Sequence, residues 1–390
     1  MLAKDSKLAV VVADYNLREL VRECLSSEKY KNIEYFDSCH DAYERCSRIQ
    51  FSFLIIDMKL PDSPGVVLMQ RLKSTGNYGT EPMFFIGKSV DEATFNMFLE
   101  YDVDYVLTGV PDRKRLIQKL QFIFKHENHL RPSVETYRLA KSALLGNKLG
   151  YAKDLAKQLV ENKQDNERVH ILLGDIALKE GNIDETQDSL EDALKLNPKS
   201  IGARLRMAKI KMTQGNLSEA KTILDELVSL NPHYLNGLEN AGLNNFELGF
   251  NELAREQMES LEKLDETNKN ANQVLGEIAL QDGDFAAGIK RLQKFRSEAE
   301  LVKELNKAGV QLTKDDDFED AIKLYQECLK VVNNDKYRSK ISYNLAFAYY
   351  KLKDYNLSKE FCDQALKADP DLNHAKKLLT QLEKVASKAG

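Results

Sequence analysis

The chain is expected to fold as an α/β domain followed by an all-α one. The first part is a five-stranded, doubly wound parallel sheet; the second is an α-solenoid of about seven helix–turn–helix units with a C-terminal capping helix. Three observations point there. Short apolar runs alternate with helical stretches over the first 126 of 390 residues. Beyond them a glycine returns every 34 residues, at Gly181, Gly215, Gly249 and Gly283. Pro198 and Pro232 keep the same interval, a period that belongs to stacked helical repeats.

The apolar runs of the first part lie at 8–13, 33–36, 51–56, 83–86 and 105–107. Helical stretches of about a dozen residues between them imply parallel strands. In such sheets functional groups gather beyond the carboxyl ends of the strands, where Asp14 and Asp57 fall. A last helix is expected over 113–126, with Leu116, Ile117, Leu120, Ile123 and Phe124 on one face. The domain so defined is 1–126. Residues 127–132 form a polar connector too short for free tumbling, so the two parts are expected to touch.

The repeats occupy 133–372, with units starting near Ser133, Glu167, Ile201, Leu235, Lys269, Val302 and Ser339. Small residues recur at one frame position: Gly174, Ala208, Gly242, Gly276, Gly309 and Ala346. They let the two helices of a unit approach closely. The glycine of each turn can take positive φ. The frame slips in two places. Gly288 replaces an expected alanine in unit five, and Asp316 replaces the turn glycine in unit six. About three extra residues near 333–337 predict a longer turn before the last unit. Residues 373–390 read as an amphipathic cap over the exposed last repeat.

Composition excludes several classes. Residues 1–128 carry 17 basic and 19 acidic side chains, and the formal net charge of the chain is −5. Neither part has the basic footprint of a nucleic-acid binder. No run approaches a bilayer span. The five cysteines lack metal-like spacing and read as reduced thiols of a cytoplasmic protein. With no P-loop and no nucleophile elbow, no enzymatic activity is expected.

The stretch LIIDMKLPDSPG at 54–65 resembles the phosphoacceptor segment of bacterial response-regulator receiver domains, whose sheet is flavodoxin-like, and the order of elements over 1–126 agrees. The resemblance implies Asp57 as phosphoacceptor. It implies Asp14, Asp57 and the Lys59 backbone carbonyl as ligands of Mg²⁺, and Tyr105 as the switch aromatic. Three positions depart from the pattern: Ala13 stands for the first acidic residue, Gly87 for the hydroxyl after the fourth strand, and Thr108 for the lysine after the fifth. Phosphoryl transfer builds negative charge that metal, lysine and hydroxyl normally offset, so two of three helpers are missing unless Lys88 swings in.

Residues 133–372 resemble the tetratricopeptide repeat family. There the first helix of each unit lines a groove that holds protein or peptide ligands. The matching positions are Tyr137, Arg138, Lys141, Arg168, Arg206 and Lys209 in the first three units. The fourth gives Asn236, Glu239 and Asn240, and the last gives Tyr343, Asn344 and Phe347. The aromatic stripe Tyr343, Phe347 and Tyr350 has two readings, groove anchor or cover under the cap.

Two functional readings follow. In one the chain is a non-enzymatic cytoplasmic signalling adaptor of bacterial type. It captures proteins in the groove, and a degenerate receiver, a pseudo-receiver, docks or regulates. In the other it is a working phosphorelay regulator, phosphorylated on Asp57 with Mg²⁺, with the repeats as output. A histidine kinase or a receiver-mediated dimer would then be a further partner.

Overall fold

A computed structural model of the chain describes residues 3–389. Residues 8–108 form a sheet ordered β2-β1-β3-β4-β5, all parallel. Its strands are β1 (Leu8–Val11), β2 (Ile33–Phe36), β3 (Phe53–Asp57), β4 (Met83–Gly87) and β5 (Tyr105–Thr108). The strand order reverses beside β1, which opens a crevice at the carboxyl edge between β1 and β3. Helices α1 (Tyr15–Ser27) and α5 (Arg113–Asn128) cover one face, where Leu120 of α5 packs with Val10, Ile55 and Phe84 of the sheet. The other face carries α2 (Cys39–Cys46), α3 (Gly65–Ser74) and α4 (Glu92–Glu100).

Fifteen further helices follow among the described residues, from α6 (Pro132–Leu145) to α20 (Asn373–Ala389). The chain divides into two compact units. One comprises the sheet domain and the repeats up to residue 250, with residues 263–266. The other comprises residues 251–262 and 267 onward.

In the first unit the repeat hairpins are α6 with α7 (Leu149–Glu161), α8 (Glu167–Lys179) with α9 (Ile183–Leu196), and α10 (Ile201–Thr213) with α11 (Leu217–Leu230). Helix α12 (Leu235–Glu247) opens the fourth. Starts at Glu167, Ile201 and Leu235 match the frame. Helix α5 runs on to Asn128 and α6 begins at Pro132, so the connector shrinks from six expected residues to 129–131. Two helices joined by three residues are held together, and the sheet domain and the repeats share one apolar cluster. Leu68, Leu72 and Phe98 pack in it with Ile201, Leu205 and Tyr234. Each such fully buried side chain contributes roughly 1.5–3 kcal/mol.

In the second unit the helices are α13 (Asn251–Leu264), α14 (Lys269–Gln281), α15 (Phe285–Leu292), α16 (Glu298–Lys314), α17 (Phe318–Val331), α18 (Asp335–Lys351), α19 (Tyr355–Ala368) and α20. The small-residue rule holds by close approach. A Cβ on Gly276 would lie 2.9 Å from Leu292, and one on Gly309 would fall within the Tyr325 ring. Gly288 has its own reason: a Cβ there would meet Leu280 at 2.7 Å and the Gly276 carbonyl at 2.9 Å.

The turn beat extends beyond glycine. Gly181, Gly215, Gly249 and Gly283 have φ near 80°, and Asn147, Asp316 and Lys353 take the same left-handed region at 57°, 62° and 64°. The longer turn expected before the last unit is absent. Only residues 332–334 separate α17 from α18. The extra residues instead lengthen α18 to 17 residues, with Glu298 accepting the N–H groups of Asn333 and Asn334 at 2.8 Å. The cap forms as expected: Leu378 and Leu382 of α20 are buried against Ala346 and Cys362.

Candidate functional site

Asp57 is the last residue of β3, and Asp14 follows β1. Both line one cavity of about 710 Å³ with Lys59, Gly87, Lys88 and Gly109. Asp14 also caps α1, its carboxylate accepting the Leu17 N–H at 2.8 Å. Asp57 accepts the Lys59 N–H at 3.0 Å. Burial pushes the Asp57 carboxyl above its ordinary value, the Lys59 amide opposes this, and the charge of Asp14 adds to it. The β3–α3 loop closes tightly beneath, because Gly65 donates to Met58 and a Cβ on it would overlap the Asp57 carbonyl. Among the described residues no group of three or more His, Cys, Asp or Glu side chains is placed to hold a metal. Two carboxylates and the Lys59 carbonyl still fit a Mg²⁺ ion that keeps several waters, since such ions take only one or two carboxylates from the protein.

The sequence departures have structural counterparts. Met58 fills the space a residue 87 side chain would use, its Cγ lying 2.8 Å from an ideal Cβ on Gly87. Thr108 is exposed, and its carbonyl accepts from Arg115 at 2.9 Å, as does Val110 at 3.2 Å. Tyr105 is 2 % exposed. Its hydroxyl donates to Glu127 and lies 2.6 Å from His126 Nδ1. With the single hydroxyl proton spent on Glu127, Nδ1 is assigned the proton it shares. Glu127 in turn takes a two-bond fork from Arg138 of α6, at 2.6 and 2.9 Å. Tyr105 is thus wired through Glu127 to the first repeat helix.

The expectation of an open groove in the first four units gives way to an occupied one. The end of α4 and the start of β5 sit on it, held by a row of acids. Glu100 accepts from Arg206 at 2.9 Å, and Arg206 also grips Asp175 of α8 at 2.6 and 2.9 Å. Tyr101 accepts from Asn236 at 3.2 Å. Asp102 pairs with Lys141, accepts from Tyr137 at 3.1 Å and faces Arg168 at 3.6 Å. Asp104 pairs with Arg168 at 3.1 Å and with Arg138 at 3.6 Å. Gln70 of α3 adds a backbone clasp, donating to the His233 carbonyl at 2.8 Å and accepting the Leu235 N–H at 2.9 Å. Burial opposes ionisation of Asp102, but the Lys141 and Arg168 charges win and hold it below its ordinary value. The physical reason for occupation is the three-residue connector together with this match of acids to bases.

Two groove residues stand apart. Asn240 donates to the Asn236 carbonyl of its own helix at 2.6 Å. Lys209 is pushed below the ordinary lysine value by burial and by the Arg206 charge. In the second unit Asn344 pairs with Asn306. Tyr343, Phe347 and Tyr350 pack beside Leu378 and Leu382 of the cap, while Tyr343 and Phe347 also line a cavity of about 450 Å³ with Lys314 and Lys351.

Sequence reasoning missed Glu100, Asp102, Asp104, Gln70, Glu127 and Met58. The signal available was the acidic series at 100, 102 and 104, which complements the groove's arginines and lysines.

A sheet domain of this order with an acid pair at the carboxyl edge, joined to helical repeats, defines a receiver-type protein with a protein-binding solenoid. The comparisons agree. The chain carries a response regulator receiver domain over residues 9–121, followed by tetratricopeptide repeats over 177–238 and, matching the Fis1 C-terminal tetratricopeptide repeat, over 340–390. It is similar to human sperm-associated antigen 1, at 34 % identity over 89 residues, 23 % of this chain but only 9 % of that protein. Among solved structures it is similar to the C-terminal part of a TPR repeat-containing protein from Cytophaga hutchinsonii, at 16 % identity. That likeness covers 62 % of this chain and 99 % of that one with a TM-score of 0.44. The chemotaxis protein CheY4 of Vibrio cholerae is also similar, at 16 % identity over 30 % of this chain and 98 % of that one, with a TM-score of 0.28. No helix among the described residues is long and apolar enough to cross a membrane.

Proposed function

We propose that this chain is a non-enzymatic signalling adaptor whose receiver is the resident ligand of its own repeats. The observation that carries the reading is the acid row Glu100, Asp102 and Asp104, paired with Arg206, Lys141, Arg168 and Arg138. Release of the receiver would free basic and amide side chains suited to an acidic segment of a partner protein. A labelled peptide copying residues 92–105 tests this. It should bind the full chain carrying Glu100→Lys and Asp102→Lys, whose own row no longer matches the groove, and should not bind the unaltered chain. Equal binding to both would refute the reading.

A second reading is favoured by one observation, that Asp57 and Asp14 face the same cavity as Lys59 and Lys88. Asp14, Asp57 and the Lys59 carbonyl would then hold Mg²⁺, which neutralises charge on an incoming phosphoryl group, and Asp57 would accept that group. Incubation with a small phosphodonor and Mg²⁺ separates the two. A gain of one phosphoryl group that Asp57→Asn abolishes supports phosphorylation, and no gain removes it.

A further inference from the structure

The receiver and the first two repeats enclose a second cavity, of about 330 Å³. It lies at the amino-terminal ends of β4 and β5, whereas Asp57 ends β3 at the opposite edge of the same parallel sheet. Its walls carry Lys73, Arg131, Arg138, Lys141 and Arg168, and its only carboxylates are Asp102 and Asp104. Glu127, just behind, is spent on Tyr105 and Arg138, and Glu81, outside the walls, acts on Lys73 from nearby while bonded to Gln50 and the Thr80 N–H; five cations still face four acids. Positive charge is therefore in excess.

The excess sits on two side chains. Arg138, Lys141 and Arg168 are matched by the acids already described. Among the described residues the Arg131 guanidinium has no hydrogen bond or ion pair, its carbonyl accepting only the Glu135 N–H, and the Lys73 ammonium reaches only the Gly79 carbonyl, at 3.3 Å. Burial and the nearby Lys141 charge lower the Lys73 pKa to about 8, a cost that an anion in the cavity would offset. The N-terminus of α6 opens on the same space. Arg131 is its N-cap and makes no side-chain capping bond, so beyond Pro132, which has no N–H, the amides of the cavity-lining Ser133 and Val134 have no intrahelical acceptor.

We propose that this cavity binds a compact phosphate-bearing anion, the free ion or a small phosphomonoester, between Lys73 of the receiver and Arg131 with the α6 N-terminus. A dianion with three acceptor oxygens matches an ammonium, a guanidinium fork and helix amides, where a carboxylate would leave donors unused. Such a ligand touches the receiver, the connector and the first repeat at once, so it would tighten the docked arrangement. The site is independent of chemistry at Asp57.

Titration calorimetry of the full chain with inorganic phosphate and with glycerol 3-phosphate, at constant ionic strength, tests this. Saturable binding at one site is expected, weakened about tenfold by Arg131→Gln and again by Lys73→Met, as for loss of a charge-assisted contact. Arg131 is exposed, so its substitution should leave the fold intact. Lys88→Met, which removes a cation from the Asp57 cavity, should leave binding unchanged. Binding of phosphate alone assigns the free ion, and binding of both assigns room for an ester. No saturable binding, binding that survives both Arg131→Gln and Lys73→Met, or binding lost with Lys88→Met would overturn the proposal.

Discussion

The Glu100 carboxylate of the receiver lies where a side chain on Gly202 of the third repeat would begin: its Cδ is 2.6 Å from an ideal Cβ on that glycine. Gly202 is in the first turn of α10, where alanine would ordinarily favour the helix by roughly 0.5–1 kcal/mol. Gly202→Ala should instead destabilise the full chain, by about 1 kcal/mol after the helix gain is subtracted, because Glu100 must leave Arg206. Chemical denaturation checks this, and a stabilising substitution would mean that the acid row carries little of the contact.

Asp102 bears a second cost for the same contact. It takes φ 56° at the end of α4, a conformation in which glycine is cheaper. Asp102→Asn tolerates that backbone but loses the charge that meets Lys141. The cycle of Asp102→Asn, Lys141→Met and the double variant should show a coupling of roughly 1–3 kcal/mol, read from denaturation midpoints. Additive effects would assign the pair no net role.

The repeats were legible because their grid is made of residues with single physical jobs. Gly309 could be read as a close approach, and the Tyr325 ring against it is that approach. Where the glycine grid lapses, Asp316 and Lys353 adopt the same positive φ, which only the period, not the residue type, could signal. The receiver site was readable as far as Asp14 and Asp57, since a parallel sheet fixes where strand ends meet. The docked face was not. Arg206 and Lys141 at groove positions suit any acidic ligand, and nothing local says that the ligand is Glu100 and Asp102 of the same chain.

At the acid pocket, Gly87→Thr should cost about 1–3 kcal/mol by overpacking, because Met58 already holds that space. Met58→Ala in the same chain should recover most of that loss, measured as a shift in thermal midpoint. An undiminished penalty in the double variant would show that the obstruction lies elsewhere.

The seam cavity has a pH signature. The folded pKa of Lys73, about 8, lies below the roughly 10.4 of an unfolded lysine. Between those values the unfolded chain binds the extra proton, so this residue's contribution to stability rises with pH from about 8 to about 10. Below that window protonated Lys73 costs stability, first through its burial and then against Lys141 and Arg138, relieved in part by Asp102 and Glu81. Lys73→Met should therefore stabilise the chain at pH 7, and the difference from the unaltered chain should shrink towards pH 10. A difference that is flat with pH would place the ammonium in ordinary solvent.

Hydrogen exchange of the full chain tests the occupied groove most directly. If the receiver sits on the first repeats through its acid row, reversing that row with Glu100→Lys and Asp102→Lys should speed amide exchange in α4, β5, α6 and α10 together. The second unit, from residue 267 onward, should keep its protection. Unchanged exchange in α6 and α10 after the reversal would contradict the account.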